Sequence, residues 1–412
     1  MRKIEVLIVL FATSLLTSMA AMEIFAWLLF AISLGLVLAK SVPLKNYLIP
    51  SMLVTACLGV FFVVLVAGVA AWSPGWAKAT DVIGWSRWIV LLYMWGFLWR
   101  SLLNKNWERG LKIWMIVVAI VGLYSLVQFF FGVEIARSRT ILSPRGDFWR
   151  ASGFFNLSLT FAYSIGMAGM IALGCALVTW KDRLTKENLL YIAAFVFAAL
   201  GVFASLTRGA WIAYVISSLL LVLLTRPKLA WVVPAGALVV GGLAFLADPA
   251  LRFRIMSIGD MNMSSNIARL GLWKSYWAMF LDQPFIGVGL GHGKELLSEY
   301  LPKVGHVDNG FRSHAHNNFI HILGSMGGLG LLSFVGFCGY FIWLNVALVR
   351  RKASLPPWSR GLALGILGAQ VYFHIGGLTE ASFIDGEVNH QLIFWWGALL
   401  GLANRPLAVE KI

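Results

Sequence analysis

The stretch SHAHNNFIHILGSMGGLGLLSFVGFCGYFIWLNVALV, residues 313–349, decides the fold class of this chain. From Asn317 onward it is an almost unbroken apolar run, longer than the ~20 residues that a helix needs to cross a membrane. Its length predicts a helix that is tilted, kinked or preceded by a re-entrant piece. The start of the run is polar and holds His314, His316, Asn317, Asn318 and His321. Titratable side chains at membrane depth usually have a function, so this cluster is a candidate functional site.

The rest of the chain has the composition of a membrane protein. Of its 412 residues, 59% are hydrophobic and 12% are charged, and the mean hydropathy is +0.81. Soluble domains carry about 25% charged residues, so this chain has too few charges to cover a globule in water. Its three cysteines, Cys57, Cys175 and Cys338, all fall in apolar runs, which favours neither a disulfide framework nor a cysteine zinc site.

Apolar runs of bilayer length recur along the chain and predict about twelve transmembrane helices. The predicted spans are 4–20, 22–39, 47–71, 83–101, 111–132, 155–180, 188–206, 209–225, 229–247, 317–349, 359–378 and 388–404. We interpret the first run as a retained helix rather than a cleaved signal peptide, because a second span follows at once. The predicted fold class is an all-α integral membrane protein, with residues 1–412 forming one polytopic domain.

The formal net charge of +15 is distributed unevenly along the chain. With both termini in the cytoplasm, every short loop on that side carries at least two basic residues, as the positive-inside rule requires. The outer side also holds basic residues, namely Arg137, Arg139, Arg145, Arg150, Arg208, Arg252, Arg254, Arg269, Lys274, Lys294, Lys303 and Arg312. Guanidinium groups bind phosphate oxygens in a bidentate manner and keep their charge. We therefore expect an outward-facing phosphate site, with anchoring to lipid headgroups as the simpler alternative for any single arginine.

The segment 248–316 is the sizeable extramembrane piece of the predicted topology. Its stretch SSNIARLGLWKSYWAMFL predicts a helix, and a connection of this length is usually functional. The stretch FIGVGLGHG, Phe285–Gly293, is similar to a nucleotide-binding loop but lacks the strand–loop–helix context of one. We interpret it as a tight turn whose backbone N–H groups could lie near a substrate.

The histidines at the start of the long apolar run are candidates for proton transfer. A neutral imidazole accepts a proton near neutral pH, as a general base must. His316 is the favoured base and His314 the runner-up, because their spacing alone does not separate them. For His314 and His321 a helix-capping or interfacial role is the simpler interpretation. We expect no metal site, since His316 and His321 lie about 140° apart on a helix and Asp308 is isolated.

Four stretches, taken in order, resemble the signatures of the O-antigen ligase and polymerase superfamily. They are TRGAWIAY from Thr207, SSNIARLGLWKSYW from Ser264, DQPFIGVGLGHG from Asp282 and HAHNNFIHILGSMGGLG from His314. Their order and approximate spacing match over residues 150–332, and the helix count matches over the whole chain. Two positions depart from the family pattern. The chain has RASGFFNLSLTFAYS where the family often has G-N-P-N or H-P, and Ser325 where an acidic residue is common.

The resemblance implies a GT-C-like glycosyltransferase of the bacterial inner membrane with its active site on the periplasmic face. It implies an undecaprenyl-diphosphate-linked glycan as donor and no metal, nucleotide, nucleic acid or other cofactor. By this resemblance His316 corresponds to the essential histidine of the family, and Arg208 and Arg269 correspond to the arginines that bind the diphosphate. The remaining residues of the predicted substrate site are Arg145, Arg150, Arg312, His314 and Asn317. Ligases transfer the glycan to a sugar of lipid A–core, and polymerases transfer it to another lipid-linked repeat.

The residue types agree with that chemistry. Breaking a sugar–diphosphate bond places negative charge on the leaving group, which fixed guanidinium charges can stabilise. The outer carboxylates that could hold a divalent ion instead are scattered: Glu134, Asp147, Asp260, Asp282, Glu295, Asp308 and Asp385. A single displacement with His316 as the base would invert the anomeric centre.

Two alternatives remain open at the level of the sequence. We favour a ligase over a polymerase because one long outer segment ends at the His-Asn pair. A twelve-helix transporter of an anionic lipid or glycan is the alternative from another class. It predicts polar groups in the middle of several spans, a position for which Gln128, Gln370 and His374 are the few candidates.

Overall fold

The computed structural model describes residues 2–72, 79–102, 107–135, 143–180, 184–260, 262–307, 313–350 and 355–403. These residues are almost entirely helical. The helices are α1 (Arg2–Thr17), α2 (Met19–Leu38), α3 (Met52–Trp72), α4 (Ala79–Leu102), α5 (Trp107–Phe131), α6 (Ser158–Thr179), α7 (Lys186–Ala204), α8 (Arg208–Thr225), α9 (Val232–Ala247), α10 (Pro249–Met256), α11 (Ser264–Asp282), α12 (Leu297–Lys303), α13 (Asn318–Arg350), α14 (Pro357–Gly376) and α15 (Gly386–Ala403). One short antiparallel hairpin pairs β1 (Ser143–Arg145) with β2 (Phe148–Arg150). The predicted fold class is confirmed.

Each of the twelve predicted spans coincides with a helix. Within the described chain, nine helices are long and apolar enough to cross a membrane by length and composition, namely α2 to α9 and α13. The other three predicted spans coincide with α1, which has 16 residues, and with α14 and α15. These last two are buried along most of their length, so their polar side chains face protein rather than lipid. The chain is a multi-pass membrane protein.

Helix α6 lies at the centre of the bundle and is buried on nearly every side. Its contact with α14 depends on glycine. A Cβ atom added to Gly174 of α6 would lie 2.2 Å from the backbone nitrogen of Gly365 in α14. Small residues at such positions allow membrane helices to pack backbone to backbone. The short distance between α6 and α14 is therefore a direct consequence of these residue types.

Polar side chains inside the bundle bond to one another or to the backbone. Gln370 Nε2 donates to Asn345 Oδ1 at 2.8 Å, and Trp396 Nε1 donates to Gln370 Oε1 at 3.0 Å. Asn345 Nδ2 donates to the carbonyl of Ala363 at 2.7 Å. Gln128 likewise bonds to backbone groups between β2 and α6. Two of the mid-span polar residues that a transporter would need are thus engaged in holding helices together.

Helix α13 is broken at Gly327, where φ is 65° and ψ is −170°, so of the tilt, kink or re-entrant piece that its length predicts, the structure shows a kink. The glycine-rich turn after α11 docks into the break. The N–H groups of Val288 and Gly289 donate to the carbonyls of Gly324 and Ser325 at 3.2 and 2.9 Å. The stretch is the predicted tight turn, and these two N–H groups serve α13 rather than a substrate.

The segment 248–316 is built around α10, α11 and α12, and α11 covers the stretch predicted to be helical. Asp248 fixes its beginning. One carboxylate oxygen accepts the N–H groups of Ala250 and Leu251 at 2.7 and 2.9 Å and caps α10. The other accepts the N–H of Asp147, in the turn of the hairpin, at 3.2 Å. The hairpin and α10 are therefore held together next to the start of α8.

Candidate active site

Two distant parts of the chain meet at one end of the bundle: the residues before α13 and the connection 377–385 between α14 and α15. Asn317 Nδ2 donates to the carbonyl of Leu378 at 2.9 Å, and the Asn318 N–H donates to the carbonyl of Gly377 at 2.7 Å. The Asn318 side chain accepts a further N–H from the same connection. The two asparagines therefore hold the connection against the start of α13.

Glu380 of this connection brings His314 and His316 together. His316 Nδ1 lies 2.9 and 3.0 Å from the two carboxylate oxygens, and His314 Nε2 lies 3.3 Å from one of them. The Glu380 side chain is 2% exposed. Sequence reasoning missed this residue, because it follows His316 by 64 positions. The sequence does carry one signal for it, an acidic residue in a short loop on the same side as the histidines.

The hydrogen bonds assign a different role to each histidine. His314 Nδ1 accepts the backbone N–H of His316 at 3.2 Å, so the ring proton sits on Nε2 and is directed to Glu380. His316 donates its Nδ1–H to Glu380, which leaves the lone pair on Nε2. That atom lies 3.3 Å from Ser313 Oγ. Of the two histidines, His316 has the lone pair that can accept a proton from a substrate.

Glu380 is ionised in this cluster. Burial raises its pKa, but the hydrogen bond from His316, the electrostatic effect of the two imidazoles and the charge of Arg269 hold the pKa below its ordinary value. For His314, burial lowers the pKa to about 4 against the opposing effect of Glu380, so this ring is neutral at neutral pH. A buried carboxylate that accepts from an imidazole fixes the tautomer of the ring and stabilises the imidazolium that forms on protonation.

The backbone at His316 has an uncommon conformation, with a φ of 48°. Among the described non-glycine residues, Lys40 and Leu206 also have positive φ. Such conformations cost roughly 1–3 kcal/mol and persist where the surroundings enforce them, often at functional sites. Leu206 lies two positions before Arg208. Two of the three conformations therefore lie at the candidate base and at the start of α8.

Two arginines hold the residues that precede α8. Arg150, at the end of β2, donates from Nε to the carbonyl of Ser205 at 2.9 Å and from Nη2 to Thr207 Oγ1 at 3.3 Å. Arg254 of α10 donates from Nε and Nη2 to the carbonyl of Leu206 at 2.9 and 2.7 Å. Burial, reinforced by neighbouring arginines, lowers the pKa of each guanidinium to about 10, so both remain charged at neutral pH. Most of their bonds go to backbone carbonyls, which indicates a positioning role.

Arg208, the first residue of α8, is held differently. It donates from Nη1 to Ser257 Oγ at 2.9 Å and from Nη2 to Ser265 Oγ at 3.1 Å, and it also bonds to the carbonyl of Ser257. Its two hydroxyl partners can rotate away and leave guanidinium N–H groups for another acceptor. Arg208 thus joins α8 to the beginning of α11, and its two hydroxyl contacts are ones that an anion can replace.

Arg269 lies on α11, one turn beyond Ser265, and is half-buried. It makes no hydrogen bond or ion pair within the part of the chain that the structure describes. Its electrostatic effect reaches Glu380 and His314 on one side and Arg150 on the other. One cation with uncommitted donors therefore couples the histidine pair to the arginine cluster.

The other predicted binding residues have varied surroundings. Arg145 lies in β1 and is exposed. The Asn317 side chain serves the protein itself, because its Oδ1 accepts the N–H groups of Phe319 and Ile320 at 2.9 and 3.1 Å and caps α13. His321 packs against Tyr276, with ring centroids 5.1 Å apart. Arg137, Arg139, Asp308 and Arg312 lie outside the described residues.

His314, His316 and Glu380 also form a possible metal-ligating set, since one ligand atom from each lies within 4.8 Å of the others. Two imidazoles and a carboxylate suit zinc. To bind a cation here, both rings would have to give up the protons that they donate to Glu380. The same three groups therefore fit either a hydrogen-bonded base or a three-ligand metal site. Activity measured with and without a chelator distinguishes the two. Spacing could not predict this set, because Glu380 comes from another loop.

Comparison with known proteins agrees with the resemblance seen in the sequence. Residues 193–335 match the sequence model of a family described as O-antigen ligase, a range that includes Arg208, Arg269 and His316. The teichuronic acid biosynthesis protein TuaE of Bacillus subtilis (strain 168) is 29% identical over 134 residues, which are 32% of this chain and 25% of TuaE. The match thus spans about a quarter of that relative's length.

The fold is similar to that of a chain of known structure. A chain from the structure of a peptidoglycan synthase complex, described as coordinating polymerization and crosslinking, aligns with a TM-score of 0.50 and 16% sequence identity. The alignment covers 85% of this chain and 95% of that chain. At this level of identity the likeness concerns the fold, and it extends over most of the helices.

Proposed function

We propose that this chain is a glycosyltransferase that moves a glycan from undecaprenyl diphosphate to a sugar hydroxyl at the periplasmic face of the inner membrane. The observation that carries the proposal is His316, oriented by Glu380 and coupled to the uncommitted guanidinium of Arg269. The match to the O-antigen ligase family supports a lipid-linked glycan as the substrate. Lipid A–core is the acceptor that the sequence resemblance implies.

In the proposed mechanism His316 acts as the general base. Its Nε2 takes the proton of the acceptor hydroxyl while the hydroxyl oxygen attacks the anomeric carbon of the donor. Glu380 keeps Nδ1 protonated and stabilises the imidazolium that results. The bond between the anomeric carbon and the diphosphate oxygen breaks, and its electron pair leaves on the diphosphate. A single displacement of this kind inverts the anomeric configuration.

The arginines divide the work of binding the diphosphate. Arg269 has no hydrogen-bond partner among the residues that the structure describes, and Arg208 can exchange serine hydroxyls for phosphate oxygens, so these two are the proposed ligands of the leaving group. Arg150 and Arg254 bond mainly to backbone carbonyls and hold the start of α8 in place. The charges of Arg208 and Arg269 are fixed before the reaction. They can therefore stabilise the negative charge that develops on the leaving group without reorganisation.

An apolar cavity beside the arginine cluster supports a lipid-borne donor. It has a volume of about 720 Å³, lies between α7, α8 and α9, and is lined by Trp211 and Ile255 among others. Trp211 is one turn from Arg208, and Ile255 follows Arg254. An apolar cavity whose lining residues Trp211 and Ile255 neighbour arginines suits an apolar chain with an anionic head, so we assign it to the polyprenyl chain of the donor.

Filling this cavity should weaken donor binding. Gly241 of α9 lines it, and a Cβ atom there would meet no heavy atom within 4 Å. Gly241→Trp should raise the KM for the lipid-linked donor by about 10-fold or more, equivalent to ~1.4 kcal/mol of binding, and change the KM for the acceptor little. Gly59→Trp on α3, where a Cβ also has open space, is the matched control. Equal effects of the two variants would contradict the assignment.

Polymerisation of lipid-linked repeats is the second candidate function. The same base and cations would serve an acceptor that is itself a lipid-linked glycan. The partial match to a protein named for teichuronic acid biosynthesis favours keeping this candidate, since that name refers to a saccharide other than O-antigen. The transporter alternative has no comparable support, because Gln128 and Gln370 are engaged in hydrogen bonds of the bundle and His374 lies in the last turn of α14 rather than in the middle of a span.

A transfer assay with purified protein tests the proposal. The protein receives undecaprenyl-diphosphate-linked glycan with rough lipopolysaccharide, in EDTA and without nucleotide. We expect glycan on lipid A–core at a rate that EDTA leaves unchanged. Longer glycans still on undecaprenyl diphosphate would indicate the polymerase. Loss of activity in EDTA, restored by Zn²⁺, would instead make the histidine pair a metal site, and an intact donor would contradict the proposed function.

A further inference from the structure

A second cavity lies at the end of the bundle where α15 begins, the end that also holds His316. Its volume is about 340 Å³, within the ~300–1,000 Å³ typical of small-molecule sites. The residues that matter on its wall are Trp85, Arg87 and Trp88 of α4, Phe383 of the connection 377–385, and Asn389 and His390 of α15. None of the arginines proposed to bind the diphosphate lines it. It is therefore separate from the donor site.

Two buried polar atoms on this wall have no hydrogen-bond partner among the described residues, Asn389 Oδ1 and His390 Nε2. The two residues are 5% and 2% exposed. Their other polar atoms are engaged, since Asn389 Nδ2 donates to the carbonyl of Phe383 at 3.2 Å and His390 Nδ1 donates to that of Gly386 at 2.6 Å. Buried polar atoms are normally hydrogen-bonded. Asn389 Oδ1 is an acceptor, and so is His390 Nε2 when the neutral ring carries its proton on Nδ1. A ligand that fits these two atoms must therefore donate hydrogen bonds, as a hydroxyl group does.

The charge of the wall favours an uncharged ligand. Arg87 Nη2 forms an ion pair with Glu23 Oε1 at 2.8 Å, and the same oxygen lies 3.7 Å from His390 Nε2. The guanidinium is thus neutralised by a neighbour, in contrast to Arg269. A phosphate would find no uncompensated arginine here and no donor at the two free acceptor atoms. A lipid headgroup is therefore a poor match for the cavity.

The aromatic side chains complete the description of the ligand. Trp85 is half-buried on the cavity wall, and Trp88 packs at its base against Phe383 with ring centroids 5.4 Å apart. Apolar and aromatic surface with a few oriented polar groups is the usual construction of a small-molecule site. A saccharide matches it, because a sugar ring presents C–H groups to an aromatic face and hydroxyl groups around its edge.

The connection 377–385 links this cavity to the candidate active site. Glu380, near one end of it, contacts His316, and Phe383 lines the cavity. Asp385, at the other end, accepts a hydrogen bond from Thr160 Oγ1 at 3.1 Å. An acceptor of several sugars is the ligand that would use both places, with one sugar in the cavity and a hydroxyl of another at His316. Binding energy from such a remote unit can be used to orient the reacting group.

We propose that this cavity is an acceptor subsite, which binds an uncharged sugar of the acceptor glycan at one or more positions from the reacting hydroxyl. The inference rests on the proposed function, since it requires a saccharide acceptor. It assigns Asn389 and His390 to hydroxyl recognition and Trp85 to packing against the sugar ring. It also gives the donor and acceptor separate cavities on the two sides of the histidine pair and arginine cluster.

Gly84→Trp tests this subsite by filling it. Gly84 lines the cavity, and a Cβ atom there would meet no heavy atom within 4 Å. The assay uses saturating undecaprenyl-diphosphate-linked glycan and varies the acceptor that the wild-type protein uses, either rough lipopolysaccharide or the lipid-linked repeat. We expect the KM for the acceptor to rise by about 10-fold or more with the KM for the donor unchanged. Trp85→Ala, which removes the packing surface without filling space, should raise the same constant.

The control is Gly35→Trp on α2, where an added Cβ also meets no heavy atom within 4 Å. This variant should behave like the wild type. An unchanged KM for the acceptor in both Gly84→Trp and Trp85→Ala, in protein that still transfers glycan, would overturn the subsite. So would an increase in the KM for the donor alone. Failure of the wild type to transfer glycan at all would instead contradict the proposed function, which keeps the two failures distinct.

Discussion

Replacement of His316 by alanine should reduce the rate of glycan transfer by roughly 10²–10⁴-fold, the usual contribution of a general base. The variant should still fold and insert, because the Asn317 and Asn318 contacts that hold the connection 377–385 do not use the imidazole. Initial rates of the purified variant, measured at saturating donor and acceptor, give the loss directly. A thermal unfolding curve in detergent confirms that the fold is retained.

Three companion variants make this result specific. His314→Ala should cost less, because the His314 ring has its Nδ1 occupied by a backbone N–H and has no free lone pair. Ser313→Ala should be nearly silent, and a loss equal to that of His316→Ala would indicate a serine nucleophile instead of a direct displacement. Glu380→Gln should lower the rate strongly but add little in combination with His316→Ala, because residues that act as a unit are not additive. Normal transfer by His316→Ala would remove it from the mechanism.

Replacement of Arg269 by alanine should reduce transfer by about 10²–10³-fold, as expected for one charged donor at a developing anion. Its guanidinium has no hydrogen bond or ion pair to described residues, so its loss breaks no such contact in the fold. Arg269→Lys should recover part of the rate, because an ammonium keeps the charge but not the bidentate geometry. Steady-state kinetics with the lipid-linked donor, run beside a thermal unfolding curve, measure both expectations.

Arg252 provides the matched control for Arg269. It lies on α10 and donates from Nε to the carbonyl of Phe245 at 3.1 Å. Its guanidinium carbon lies over the Phe245 ring, 4.9 Å from the ring centroid. Arg252→Ala should leave transfer nearly unchanged. Arg254 also lies on α10, but it is unsuitable as a control, because it donates to the carbonyl of Leu206 before α8. Similar, mild losses in Arg269→Ala and Arg252→Ala would mean that both arginines anchor lipid headgroups.

Features that depend on neighbours in the sequence could be predicted. Runs of apolar residues predicted the twelve helices, and the length of the run after Asn317 predicted that α13 would be tilted, kinked or preceded by a re-entrant piece. The basic residues on the outer side stand out because they break a compositional rule, and the family resemblance singles out Arg208 and Arg269 among them. His316 was identified as a candidate by its residue type and its place at the start of a span. Each of these signals lies within one helix or one loop.

Features that depend on contacts across the fold could not be predicted. Glu380 meets His316 from 64 positions away, and nothing in its own loop specifies that contact. The choice between His314 and His316 required the backbone hydrogen bond to His314 Nδ1. Asn317 carries a type of side chain that binds substrates, yet its amide caps α13. Arg208 bonds to serine hydroxyls, whereas Arg150 and Arg254 bond mainly to backbone carbonyls. The local sequence does not reveal these partners either.

The break in α13 also has a consequence for how the protein enters the bilayer. Gly327 lies nine residues after Asn318, roughly 14 Å along the helix at 1.5 Å per residue. The break frees the carbonyls of Gly324 and Ser325 from bonds within the helix, and the N–H groups of Val288 and Gly289 bond to them instead, since backbone groups of a membrane helix need partners within the protein. The turn has been synthesised before α13 leaves the ribosome. We therefore expect the broken form of α13 to become stable in the bilayer only once the turn has docked onto it.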